Sequence, residues 1–186
     1  MSGTAAPSNV ARFLPEGAAR WPDRPAVAAP EGRGRAWTGI SYAALEQRSN
    51  RIAGGLASLG VERGARVCVF VPPGAELIAI VYALFKLGAV PVLADPGMGR
   101  ERLLAAVERV EPEVLIGVPR AQLARVLFSA SFRSVRHFVT VGRRYGWKGT
   151  TLDALARSAP DAPVLADVGP AAPAAISGAM EGTMPI

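Results

Sequence analysis

Short apolar runs alternate with helical patterns across the middle of this chain, and that alternation restricts the fold more than any other feature. Residues 67–71 (VCVFV), 90–94 (VPVLA), 114–118 (VLIGV) and 138–141 (FVTV) are mostly apolar, and three of the four are rich in β-branched residues. They lack the clean apolar–polar alternation of a half-buried strand, as expected when both faces of a sheet are covered. Helical patterns fall between them at residues 75–87, 100–110 and 121–128, and a further short one follows at 152–157. The expected fold is α/β, a largely parallel sheet with helices on both faces.

Upstream, Asn9 is placed to cap a helix over residues 10–21, which Pro15 and Gly17 weaken. Two extended pieces at 25–29 and 35–40, joined by a turn-rich segment, read as a hairpin. Ser41 can cap the next helix, where Leu45, Ile52, Leu56 and Leu59 form one buried stripe and Gly60 closes the end. The helix over 75–87 is apolar on nearly every face, so it should be buried on most sides until Gly88 stops it. Residues 1–8 read as a flexible tail and 9–158 as the folded domain. Residues 159–186 read as an Ala/Pro-rich linker whose last stretch continues neither strand nor helix.

Composition removes several function classes. Half of the 186 residues are hydrophobic and 19% are charged, which suits a chain with a packed core. The net charge of +6 comes almost entirely from arginine, the lysines being Lys86 and Lys148. The arginines are spread over helix faces and loops, and the tightest groups, Arg33/Arg35 and Arg143/Arg144, lack the aromatic interleaving of a nucleic-acid pattern, so a solvated surface is expected rather than a nucleic-acid partner. The one cysteine excludes an internal disulfide and suits the cytoplasm. The apolar stretch 77–85 ends at Lys86, well short of the roughly 20 residues that a membrane span needs.

Candidate chemistry is sparse. The turn at residues 71–77 has one glycine rather than a dinucleotide fingerprint, and Pro73 and Glu76 are ordinary helix-initiation residues. Residues 142–151 have glycines and a lysine as a phosphate loop does, but Gly149, not Ser or Thr, follows Lys148. A surface loop with solvated Arg143, Arg144 and Lys148 is expected there. Cys68 lies mid-strand and should be inert, His137 has no clustered second ligand, and Asp95 reads as a turn residue. Glu108, Glu111 and Glu113 straddle a helix end and form no acid/base pair. No catalytic, cofactor-binding or metal-ligating residue is assigned.

Two stretches carry more than their chemistry. Thr38-Gly-Ile-Ser-Tyr42-Ala-Ala-Leu45 runs into Ser49-Asn-Arg-Ile-Ala-Gly-Gly-Leu56, and Leu84-Phe-Lys-Leu-Gly88-Ala-Val-Pro91 runs into Val92-Leu-Ala-Asp95-Pro96. In order and spacing these resemble the first two core motifs of the adenylate-forming (AMP-binding) ligases, which include acyl-CoA synthetases and peptide-synthetase adenylation domains. The resemblance spans about residues 9–176. The stretch 140–152 is most similar to the fatty-acyl branch of olefin biosynthesis, whose members close a β-hydroxy acid to a β-lactone.

The resemblance implies ATP and Mg²⁺ as cofactors of the full-length family, a fatty-acyl or β-hydroxy acid substrate, and reaction through an acyl-adenylate. The family's phosphate loop is Ser/Thr/Gly-rich and ends in Pro-Lys. After Ile176 this sequence has Ser177, Gly178, Glu181, Gly182 and Pro185, without that Thr/Ser run or a following lysine. Tyr42, Gly88, Pro91, Asp95 and Pro96 match the motifs and are expected to be architectural. The expectation is therefore an incomplete N-terminal part of such a ligase, inactive alone and binding no cofactor by itself. The alternative is a non-catalytic module that binds a ligand or pairs with a separately encoded remainder.

Overall fold

The apolar runs become neighbouring strands. A computed structural model of the chain describes residues 9–30, 37–93, 99–159 and 176–177. The expected tail 1–8, the turn after Pro30, Asp95-Pro96-Gly97 and most of 159–186 lie outside the described residues. Asn9 caps a 3₁₀ turn, Val10–Arg12, its side chain accepting from the Ala11 N–H at 3.0 Å. Helix α1 (Phe13–Arg20) follows. The single helix expected over 10–21 is thus two pieces, and Pro15 sits in the first turn of the second, where its missing N–H costs no helical bond.

Strands β1 (Pro25–Pro30) and β2 (Trp37–Ser41) pair antiparallel, as the hairpin reading expects. Ser41 then caps α2 (Tyr42–Ser58) through Ala44 N–H. Strand β3 (Arg66–Phe70) leads to α3 (Ala75–Leu87), β4 (Val90–Leu93), α4 (Arg100–Val110), β5 (Val114–Gly117), α5 (Pro119–Leu127) and β6 (His137–Thr140). Strand β7 (Thr150–Thr151), α6 (Leu152–Ser158) and β8 (Ile176–Ser177) complete the described elements.

The sheet has the order β7-β6-β5-β3-β4-β8, and every pairing in it is parallel. Four strands were expected and six are present. The two extra ones, β7 and β8, are only two residues long and sit at the edges, so neither has a periodicity to read. Ile176 and Ser177 pair with Val92 and Leu93, so strand structure reaches into a stretch whose sequence shows none.

Right-handed crossovers put α3 on one face and α4 and α5 on the other. Successive strand residues therefore divide between two cores. Val67, Val69, Val114, Ile116 and Val139 meet α2, α3 and α6 through Leu45, Ile52, Leu56, Ile80, Leu84 and Leu155. Cys68 and Leu115 turn the other way, with Val92, Val107, Phe132 and Val135. Burial on both faces is why the runs look continuous in sequence.

Two glycines are needed by this packing. Gly88 closes α3 in the left-handed region at φ 67°. At Gly55 on α2, a Cβ would come within 2.6 Å of Leu155 on α6. Gly55→Ala should lower the unfolding free energy by about 1–3 kcal/mol, read as a shifted urea midpoint. An unchanged midpoint would show that α2 and α6 do not meet there.

Candidate functional site

Open parallel sheets bind ligands beyond the carboxyl ends of their strands, where the connections diverge to opposite faces. Here that point lies between β3 and β5. The chain leaves β3 through Val71-Pro72-Pro73-Gly74 and leaves β5 through Val118-Pro119. Proline has no N–H, so three backbone donors that a phosphate could use are missing.

The helix ends beside this crevice carry acids that are already paired. Glu76, in the first turn of α3, accepts from Arg48 Nη2 at 2.6 Å, and Asp153, in the first turn of α6, accepts from the same nitrogen at 2.7 Å. The sequence gives Glu76 its helix-initiation role; the structure adds that one guanidinium ties two helix starts together. All three side chains are partly exposed, so each pair contributes less than about 1 kcal/mol.

The densest polar cluster is elsewhere and was not read from the sequence. Lys86 is only 1% exposed, although it looks like the interruption of an apolar run. Its ammonium donates to Glu46 Oε2 at 2.7 Å, Ser49 Oγ at 2.9 Å and Asn50 Oδ1 at 2.6 Å. An ammonium has three donors, and here each has an acceptor. The acceptors sit at i, i+3 and i+4 on α2, which places them on one face toward α3. Asn50 Nδ2 also donates to Glu46 Oε1 at 3.0 Å, and Ser49 Oγ donates to the Glu46 carbonyl at 2.9 Å. That spacing of Glu46, Ser49 and Asn50 was the available signal, since it breaks an otherwise apolar face.

Lys86 is in the last turn of α3, at the amino edge of the sheet and away from the carboxyl ends. Asn9 Nδ2 donates to the neighbouring Phe85 carbonyl at 2.8 Å, which anchors the start of the described chain at the same corner. The cluster is therefore a joint between helices rather than a phosphate-contacting lysine.

The glycine loop 142–149 spends its polar groups on itself. Arg144 Nη1 donates to the Gly149 carbonyl at 2.7 Å and to the Trp147 carbonyl at 3.3 Å, while Trp147 Nε1 donates to Thr140 Oγ1 at 3.1 Å. Gly142, Gly146 and Gly149 take φ values of 87°, 80° and 113°, which shape the loop, and Arg143, Arg144 and Lys148 are exposed. The surface-loop reading of this segment agrees with the geometry.

The other singled-out residues are not brought together. Cys68 is fully buried, and desolvation pushes its thiol up to about 12, far from a thiolate at neutral pH. His137 is half-buried at the start of β6, and among the described residues no group of three His, Cys, Asp or Glu could hold a metal ion. Glu108 accepts from Ser131 Oγ at 2.6 Å, and Glu111 caps α4 with φ 48°. Of the motif residues, Tyr42 lies where a Cβ on Gly17 would come within 2.8 Å of its ring, and Pro91 is buried opposite Val67.

Comparison with known proteins places this architecture. Residues 14–177 match the family described as AMP-binding enzyme. The chain belongs to that family. It is 45% identical over 168 residues to an olefin beta-lactone synthetase of Stenotrophomonas maltophilia, covering 86% of this chain and 30% of the relative. It is 44% identical over 149 residues to another of Xanthomonas campestris, covering 77% and 27%. A long-chain-fatty-acid-CoA ligase from Archaeoglobus fulgidus has the same fold over 92% of this chain and 34% of its own, with a TM-score of 0.77 at 17% identity. The chain thus spans about a third or less of the proteins it matches. The motifs at 38–56 and 84–96 fall inside the matched segment.

The Lys86 cluster of this family member has a pH signature. Burial lowers the Lys86 pKa from 10.5, against the opposing pull of Glu46. A lysine depressed by folding holds fewer protons folded than unfolded, so stability should rise with pH in the alkaline window below 10.5. Chemical unfolding across that window should show this rise for the native chain minus Lys86→Met. A difference that is flat or falls with pH would contradict it.

Proposed function

We propose that these 186 residues are the N-terminal part of an ATP-dependent acyl-adenylating ligase acting on a fatty-acyl or β-hydroxy acid, and that they do not adenylate on their own. The observation that carries the reading is the match of residues 14–177 to the AMP-binding family, combined with coverage of 30% of a synthetase whose name states a β-lactone product. In the whole enzyme a carboxylate oxygen would bond to the α-phosphorus of ATP as pyrophosphate leaves. The β-hydroxyl oxygen would then attack the acyl carbon, losing its proton as AMP departs and the lactone closes.

The residues described do not fit the phosphate or Mg²⁺ part of that chemistry. Pro72, Pro73 and Pro119 remove donors from the crevice, and Glu76 and Asp153 are held by Arg48. No step is therefore assigned to a residue of this chain. The contribution proposed for it is architectural: a parallel sheet in which β8 pairs alongside β4. The single buried cysteine suits the cytoplasm, and no helix among the described residues is long and apolar enough to cross a membrane.

ATP–pyrophosphate exchange tests the reading. The purified 186-residue protein with ATP, Mg²⁺ and a long-chain β-hydroxy acid should exchange no faster than an enzyme-free control. Joined after Ser177 to the remaining part of the Stenotrophomonas synthetase, it should exchange measurably. Robust exchange by the chain alone, or none by the fusion, would contradict the proposal.

A further inference from the structure

The cations read as spread over helices and loops, yet the excess positive charge has one origin. Residues 114–152 hold seven of the 21 Lys and Arg residues and none of the 15 Asp and Glu residues, so the rest of the chain is close to neutral. That stretch forms β5, α5, β6 and β7, at one edge of the sheet. It also holds four of the seven large apolar side chains that stand exposed among the described residues. Leu123, Val126 and Leu127 are 52%, 54% and 67% exposed on one stripe of α5, and Tyr145 is 61% exposed in the loop after β6.

Packing turns these groups outward together. The inner side of α5 is fixed on β6: Gln122 Nε2 donates to the Val139 carbonyl at 3.0 Å, and the Arg125 guanidinium carbon lies 3.9 Å from the Phe138 ring centroid. Exposed Arg120 precedes Leu123 by one turn on the outer stripe. The Val141 N–H donates to the Gly117 carbonyl at 3.0 Å, which sets the loop 142–149 beside the start of α5. Exposed Arg143, Arg144 and Lys148 therefore join Arg120 at this end. The surrounding acids are engaged elsewhere. Asp153 is held by Arg48, Glu101 stands between Arg100 and Arg102, and Glu108 accepts from Ser131. Glu111 and Glu113 line a cleft with Arg66, Arg133 and Arg136 at the opposite, amino edge of the sheet.

We propose that this face docks on an anionic phospholipid surface, with Leu123, Val126 and Leu127 entering the acyl boundary and Arg120, Arg143 and Lys148 contacting lipid phosphates. An aliphatic stripe bordered by unbalanced cations is the combination an interfacial helix uses, and it gives a reversible contact rather than a span. Cations beside an anionic leaflet are attracted without needing fixed partners, and tyrosine settles at the headgroup level. Other occupants suit the face less. Aliphatic side chains give nucleic acid bases nothing to stack on, and Leu and Val are under-represented at the energetic centres of protein contacts. A two-fold contact centred on α5 would set Arg120 against its own copy. The inference goes beyond the ligase reading and does not depend on it.

Flotation of the 186-residue chain with vesicles tests this, because aggregates sink and membrane-bound protein rises. Vesicles of phosphatidylglycerol and phosphatidylcholine in equal parts should carry the chain upward, and partition should be at least about tenfold weaker on phosphatidylcholine alone. Added salt should weaken it further. Leu123→Ser/Leu127→Ser and, separately, Arg143→Gln/Lys148→Gln should each lose most of the binding while keeping the native Tm. Arg20→Gln/Arg63→Gln removes the same charge from exposed positions outside the stretch and should bind as the native chain does. Absence of flotation, or an equal loss in the Arg20/Arg63 pair, overturns the proposal. So does retention on polyglutamate without flotation, which assigns the face to an acidic protein. A dimer that the Leu123→Ser/Leu127→Ser variant abolishes, without flotation of the native chain, assigns it to a second copy and overturns the proposal as well.

Discussion

Between α2 and α3 lies a buried ammonium, and the helical layer over one face of the sheet is organised around it. Lys86 has left water almost completely, which would be prohibitive without compensation. Glu46, Ser49 and Asn50 accept its three protons, and Glu46 is itself held by Asn50. Hydrophobic contacts within the core cluster of Ile52 and Ile80 can slide; a fully satisfied three-acceptor cluster is directional, so it fixes the rotation and register of the two helices. The strands pack on the surface these helices form, and α6 joins it through the close approach at Gly55. A buried ion pair is weak evidence for net stability, and its value here lies in choosing one helix arrangement over its neighbours.

The two faces of the sheet differ in how fully they are covered. One has α2, α3 and α6 with a large buried cluster; the other has α4, α5 and a smaller cluster around Phe132 and Val135. The exposed apolar stripe of α5 falls on the second side. At the carboxyl edge, prolines and an Arg48 bridge occupy the positions where a nucleotide-binding sheet would offer backbone N–H groups. Both features agree with the framework role proposed for a chain that spans about a third of its relatives.

Much of the fold was legible because its signals are local. The caps at Asn9 and Ser41, the stop at Gly88 and the bounds of α3 and α4 follow from residues within a turn or two of each boundary. Strands β3 to β6 were legible because a doubly covered strand must be apolar throughout. The edge strands β7 and β8 were not, because two-residue strands exist only through pairing with β6 and β4. The role of Lys86 was not legible for a related reason. A lysine in an apolar helix suggests a solvent-facing interruption, and only the distant Glu46, Ser49 and Asn50 explain its burial. The inertness of Cys68 was legible from its strand, whereas the pairing of Glu76 with Arg48 was not, since 28 residues separate them.

The joint between α2 and α3 is tested most directly by a double-mutant cycle on Lys86→Met and Glu46→Gln, read by urea unfolding at neutral pH. Each single variant leaves a buried polar group without its partner, while the double variant removes the charge pair. The account predicts a coupling energy of about 2 kcal/mol or more. A coupling below about 0.5 kcal/mol, the level expected of independent sites, would contradict it.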